Sequence, residues 1–107
     1  MISCADVVSG YEKAGYSVFH KDCQGEAYNC YIQAEDSDSG EYILFHFFDT
    51  AQQAESYADD SKWNVVLWLY SLACGEPTWI TVKTCGNVEV EYGSGALYQP
   101  FGMLISG

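Results

Sequence analysis

The 107-residue chain contains no arginine, four lysines, two prolines and two histidines. It also lacks any apolar run near the ~20 residues that span a bilayer. Each scarcity excludes something. Four cations cannot neutralise a run of phosphates, so nucleic acid is not an expected partner, and an anionic membrane surface is disfavoured for the same reason. There is no Gly-rich phosphate loop, nucleophile elbow, HExxH or CxxC, so no familiar catalytic motif is present. What is abundant is acid: fifteen Asp and Glu bring the net charge to −11. With 49% hydrophobic and 16% aromatic residues the chain is nonetheless too apolar for a disordered acidic tail. Its length suits one domain over 1–107 with a core that needs no staple.

Five cysteines (Cys4, Cys23, Cys30, Cys74 and Cys85) are an odd number at scattered spacings. Secreted disulfide scaffolds carry even, denser sets, so the expectation is reduced thiols in a cytoplasmic protein. Met1-Ile2-Ser3-Cys4 has the form of a lipoprotein cleavage site without the charged and apolar regions that precede one. If such regions lay upstream, Cys4 would be acylated and the protein would be at the cell surface or secreted.

Hydrophobic periodicity supplies the elements. Ser3 to Asp6 has the form of a capping box, and Cys4, Val7, Val8, Tyr11 and Ala14 recur at helical spacing up to Gly15, which predicts a helix over about 4–14. Strands follow at about 16–22, 27–34 and 41–48, the last apolar on both faces as a central strand should be. The polar stretch from Glu35 to Gly40 is a hairpin loop. Asp49 as N-cap and Gln52 open a second helix with a narrow stripe of Ala51, Ala54, Tyr57 and Ala58. Three further strands fall at about 64–73, 78–84 and 87–92. Pro100 is expected to break the helical tail from 94 to 105 into pieces. The fold class is therefore α+β, an antiparallel sheet with helices packed on it in the order α-β-β-β-α-β-β-β-α. An offset of 46 residues relates Ala5 to Ala51 and Glu41 to Asn87, the trace expected of a weak αβββ duplication.

Ala14-Gly15-Tyr16-Ser17-Val18, the run from Tyr42 through Phe48 to Glu55, and Gly86-Asn87-Val88 together resemble small uncharacterised α+β domains of Gram-positive bacteria, some of them in lipoproteins. The resemblance spans most of the chain and implies the same fold class. It carries no catalytic or binding residue with it.

One constellation has metal-ligand or nucleophile chemistry: His20, Cys30 and His46. A first hairpin centred on Gly25 would set His20 opposite Cys30, and a second centred on Asp38 would set Cys30 opposite His46. All three would then share one face, with neighbouring Cβ atoms about 5 Å apart. Two imidazoles and a thiol suit Zn²⁺ or copper, and a thiol beside a base suits a nucleophile. The same face carries Ile32, Leu44 and Phe48, so buried structural residues are the leading expectation and no cofactor is required. A register slip of one residue would disperse the trio. Cys23 and Cys30 could instead meet across the first hairpin, in a register that excludes the trio. Cys74 and Cys85 flank a strand too long to join. The loop from Asp36 superficially resembles an EF-hand, but its Gly falls one position early and Phe47 stands where the bidentate Glu belongs.

The remaining candidate is a surface. Trp63, Trp68 and Trp79 accompany nine tyrosines, and Trp79 alternates onto the polar side of its strand. In the last strand Val88, Val90 and Tyr92 are expected to face inward, and Glu89 and Glu91 to face water. Trp79, Glu89 and Glu91 would form an acidic, aromatic face for a protein partner or for self-association. The leading functional expectation is therefore a non-catalytic interaction or ligand-binding module. The alternative is a small metal- or thiol-dependent protein built on His20, Cys30 and His46.

Overall fold

The structure, a computed structural model, describes residues 2–22, 28–60 and 81–106. Helix α1 (Cys4–Lys13) begins with the anticipated capping box: Ser3 Oγ accepts the Asp6 N–H, and the Asp6 carboxylate accepts the Ser3 N–H. It ends at Gly15, whose φ of +92° lets the chain turn into the sheet where a side chain would resist. Strands β1 (Ser17–Asp22), β2 (Cys30–Glu35) and β3 (Tyr42–Phe47) precede helix α2 over 51–60. Strands β4 (Thr81–Cys85) and β5 (Val88–Tyr92) and helix α3 (Gly95–Ser106) complete the described chain. The fold is α+β as expected. The strand expected at 64–73, and with it the completion of a second αβββ unit, lies outside the described residues.

The sheet is antiparallel and runs β1-β2-β3-β5-β4, so β3 is central as its two apolar faces require. A two-residue turn with Gly86 at φ +58° joins β4 to β5. A positive φ at the first turn position is the type II′ pattern, which matches the twist of paired strands. One face packs on α1 and α3. Val7 and Tyr11 of α1 and Leu97 and Phe101 of α3 close over Ile32, Ala34, Ile43, Phe45, Val88 and Val90, and most of these are wholly buried.

Two local expectations change. Asp49 is not the N-cap of α2: Thr50 Oγ1 accepts the Gln53 N–H, while Gln53 Oε1 accepts the N–H groups of Asp49 and Thr50, which moves the box one residue along. Pro100 does not divide the tail either, because Gly95–Ser106 is one helix with the proline inside it. The lost N–H would have bonded the Ala96 carbonyl. Burial of Leu97 and Phe101 on either side outweighs that loss, and the Tyr11 hydroxyl donates to the Leu97 carbonyl at 2.6 Å next to it.

Candidate functional site

Strand alternation places the chemistry-bearing residues on two opposite faces. The β1–β2 register pairs His20 with Ile32 and Asp22 with Cys30, two residues from the expected pairing. A shift of two preserves the face, so His20 and Cys30 do share one, as diagonal rather than direct neighbours. The β2–β3 register pairs His46 with Tyr31 and Cys30 with Phe47, one residue from the expected pairing. A shift of one moves His46 to the other face. The trio His20, Cys30 and His46 therefore does not converge.

The first face holds a sulfur site that includes Cys4, a residue that the sequence reading leaves outside the candidate trio. Cys4 is the first residue of α1, half-buried, and is joined to Cys30 of β2 in a disulfide, which corrects the expectation of reduced thiols for this pair. Cys30 is buried at 6% exposure, whereas Cys4 remains reachable from solvent. His20 Nε2 lies 3.3 Å from Cys4 Sγ and 3.5 Å from a carboxylate oxygen of Asp22. The signal for Cys4 was present: it belongs to the inward stripe of α1, and Cys30 to the sheet face under that stripe. Locally the site combines a thiol position at a helix N-terminus, where the backbone carries partial positive charge, an imidazole within hydrogen-bond reach, and a buried second sulfur. As a disulfide the pair offers no metal ligand, since the thiolate is the ligand. As a dithiol, Cys4, Cys30 and His20 bring three ligand atoms to within 4.8 Å of one another, a set that suits Zn²⁺ or copper.

The opposite face holds a buried acid–imidazole cluster. His46 of β3 stands opposite Glu89 of β5, and its Nδ1 lies 2.6 Å from Glu89 Oε2. Glu91, two residues along the same strand, brings a carboxylate oxygen to 4.0 Å from the same nitrogen. Rings of Tyr28, Tyr31 and Tyr57 surround the imidazole at centroid distances of 4.7, 5.2 and 4.8 Å, and the Tyr57 hydroxyl lies 3.5 Å from Nε2. Burial raises the Glu89 carboxyl above its ordinary range, and the neighbouring Glu91 charge adds to the rise; the His46 contact opposes it. Burial likewise pushes the Tyr57 hydroxyl up to about 12.

The surface expected on the last strand is corrected by this cluster. Glu89 does not face water; it is wholly buried, because β5 lies inside the sheet and both of its faces are covered at that position. Glu91 is partly buried. Trp79, with Trp63 and Trp68, lies outside the described residues. The Asp36–Glu41 segment is a hydrogen-bonded hairpin loop, in which Asp36 Oδ1 accepts the Asp38 N–H and Ser39 Oγ the Glu41 N–H. No described helix is long and apolar enough to cross a membrane.

Comparison with protein-family models, curated proteins and solved structures finds no match. The reading of function therefore rests on these two faces.

Proposed function

We propose that this chain is a small thiol–disulfide exchange protein in which Cys4 is the exchanging sulfur, Cys30 the resolving one and His20 the proton-handling neighbour. One observation carries the reading: the solvent-reachable sulfur of a disulfide sits at a helix N-terminus beside an imidazole, while its bonded partner is buried. Reactive cysteines are found in electropositive, partly exposed places of this kind, and inert ones in apolar places.

The chemistry balances with an external thiol or disulfide as co-reactant. An incoming thiolate attacks Cys4 Sγ, forming a mixed disulfide and releasing Cys30 as the leaving thiolate. A second thiolate takes the external sulfur away as a disulfide and leaves Cys4 reduced, so two electrons have entered the pair. In reverse, the Cys4 thiolate attacks a substrate disulfide and Cys30 then displaces the bound half, closing the internal bond. His20 can donate a proton to a departing sulfur or accept one from an attacking thiol. The dithiol state is the form that would take Zn²⁺ or copper, with His20, Cys30 and Cys4 as ligands in place of the trio that includes His46. A cytoplasmic setting, rich in thiol reductants, suits a pair that cycles.

The test is a glutathione redox titration followed by alkylation and mass mapping. The Cys4–Cys30 bond should equilibrate with the folded protein at a potential above about −300 mV, the region below which structural disulfides lie. In a Cys30→Ser variant Cys4 should be the trapped mixed disulfide. A bond that resists reduction until the protein unfolds would reduce the pair to a structural clip.

A further inference from the structure

We propose that His46, Glu89 and Glu91 form a binding site for a first-row divalent cation on the sheet face opposite the disulfide. Three observations converge. First, the ligand types are an imidazole and two carboxylates, with ligand atoms within 4.8 Å of one another. That is a borderline-to-hard set suited to ions of the Mn²⁺ and Zn²⁺ kind. Second, Glu89 is wholly buried, yet its Oε1 has no hydrogen-bond partner among the described residues. A buried carboxylate oxygen left unsatisfied is costly and is rare in native proteins. Third, two carboxylates approach one imidazole nitrogen, at 2.6 and 4.0 Å. Like charges gathered at one buried point favour a cation among them.

The geometry accommodates an ion with little rearrangement. Ligand atoms on adjacent octahedral positions, each about 2.1 Å from the metal, lie about 3 Å apart. The separations from His46 Nδ1, 2.6 and 4.0 Å, bracket that value, so each of these two needs to change by about an ångström or less. His46 would bind through Nδ1, its nitrogen nearest the carboxylates, while Nε2 faces the Tyr57 hydroxyl. An imidazole ligand usually has its second nitrogen hydrogen-bonded in this way. Glu91 also lines an open cleft of about 330 Å³ with Tyr42 and Leu44, so one of the three ligands is reachable from solvent. Three protein ligands leave further positions for water.

Mn²⁺ is the probe, because it takes oxygen and imidazole ligands and competes poorly for the thiolates of the other face. The protein is kept with its disulfide intact, and free Mn²⁺ is followed by its electron paramagnetic resonance signal. The expected result is saturable uptake of one equivalent, with selective paramagnetic broadening of the His46 and Tyr57 ring resonances in the unmodified protein. Glu91→Gln should weaken uptake about tenfold or more, the loss that even outer partners of a ligand can cause. Absence of uptake would overturn the site. So would uptake that survives Glu91→Gln and Glu89→Gln, or broadening confined to the acidic 36–41 loop. The broadening experiment needs no variant, so an unfolded Glu89→Gln protein leaves the test intact. Failure of this site leaves the Cys4–Cys30 reading untouched.

Discussion

The Cys4–Cys30 bond makes a stability prediction that can be worked through from the topology alone. The two cysteines are 26 residues apart, and the closed loop contains α1 and β1. Chain-entropy arithmetic for a loop of that size gives about 12 cal/mol/K, or about 3.5 kcal/mol at 25 °C, lost from the unfolded state when the bond is present. The bond also ties the first turn of α1 to the second strand of the sheet, so the benefit depends on α1 remaining docked. Docking does not rest on the sulfurs: Val7 and Tyr11 are wholly buried. The fold should therefore survive reduction and lose about 3.5 kcal/mol, which corresponds to a fall in Tm of roughly 15–25 °C for a domain of this size. Urea unfolding of the oxidised protein, the dithiothreitol-reduced protein and a Cys4→Ser/Cys30→Ser double variant measures it. The last two should lie together well below the first, with the urea slope raised because the unfolded chain is longer when uncrosslinked. A loss under about 1 kcal/mol would refute the argument, since the loop would then constrain nothing. Failure of the reduced chain to fold at all would refute the other half, that burial under α1 carries the docking. The outcome also bears on exchange. A reduced form that stays folded is what a cycling pair needs; one that unfolds would make reduction a switch for the whole domain.

Three further outcomes follow from particular contacts. Tyr11→Phe removes the hydroxyl that donates to the Leu97 carbonyl and should cost about 1 kcal/mol in urea unfolding, with little structural change because the ring stays packed on Phe45. Glu89, faced by His46 on β3, Glu91 on its own strand, Thr84 across β4 and Tyr57 from α2, has a folded carboxyl pKa raised by burial. The folded state therefore holds that proton more tightly than the unfolded state. Its contribution is full below the ordinary carboxylate range and is lost as pH rises through the folded pKa. In metal-free buffer Glu89→Gln should flatten that limb of a stability–pH curve; an unchanged curve would mean that burial does not govern this group. Gly86→Ala forces a side chain onto a backbone at φ +58° and should cost about 1–2 kcal/mol, read as a lower unfolding midpoint.

Most of the architecture was legible because periodicity is a strong signal. The capping box at Ser3, the inward stripe of α1, the alternation of β2 and the central position of β3 all follow from residue spacing. The arrangement of the sites was less legible, and the reason is parity. The first hairpin is centred on residue 26 rather than 25, a whole-residue error that shifts pairing by two and leaves His20 and Cys30 on one face. The second spans the six residues 36–41 between Glu35 and Tyr42, so its centre falls between 38 and 39. That half-residue error moves His46 through the sheet. Nothing in the polar loop distinguishes the two centres, because Asp, Ser and Gly suit either turn. Glu89 was misread for a different reason: alternation assigns its face correctly but cannot say that the face is covered. A His directly across the neighbouring strand was the available clue, since a buried carboxylate needs such a partner.

The separation of the two clusters has a consequence for how they act. Cys30 and Tyr31 are consecutive residues of β2 on opposite faces, one bonded to Cys4 and the other packed on His46. Soft sulfur chemistry and hard carboxylate chemistry are thus one residue apart along the chain, yet the sheet lies between them. An ion held by Glu89 and Glu91 cannot be shared with the Cys4 thiolate, and oxidation of the sulfurs removes no ligand from His46. If both sites function, each should therefore respond to its own reagent alone. Mn²⁺ should leave the glutathione equilibrium of Cys4–Cys30 unmoved, and reduction should leave Mn²⁺ uptake unmoved. A shift of the glutathione equilibrium on adding Mn²⁺ would instead show that β2 transmits strain between its two faces. Linkage would then require reduction to alter Mn²⁺ affinity by the same factor.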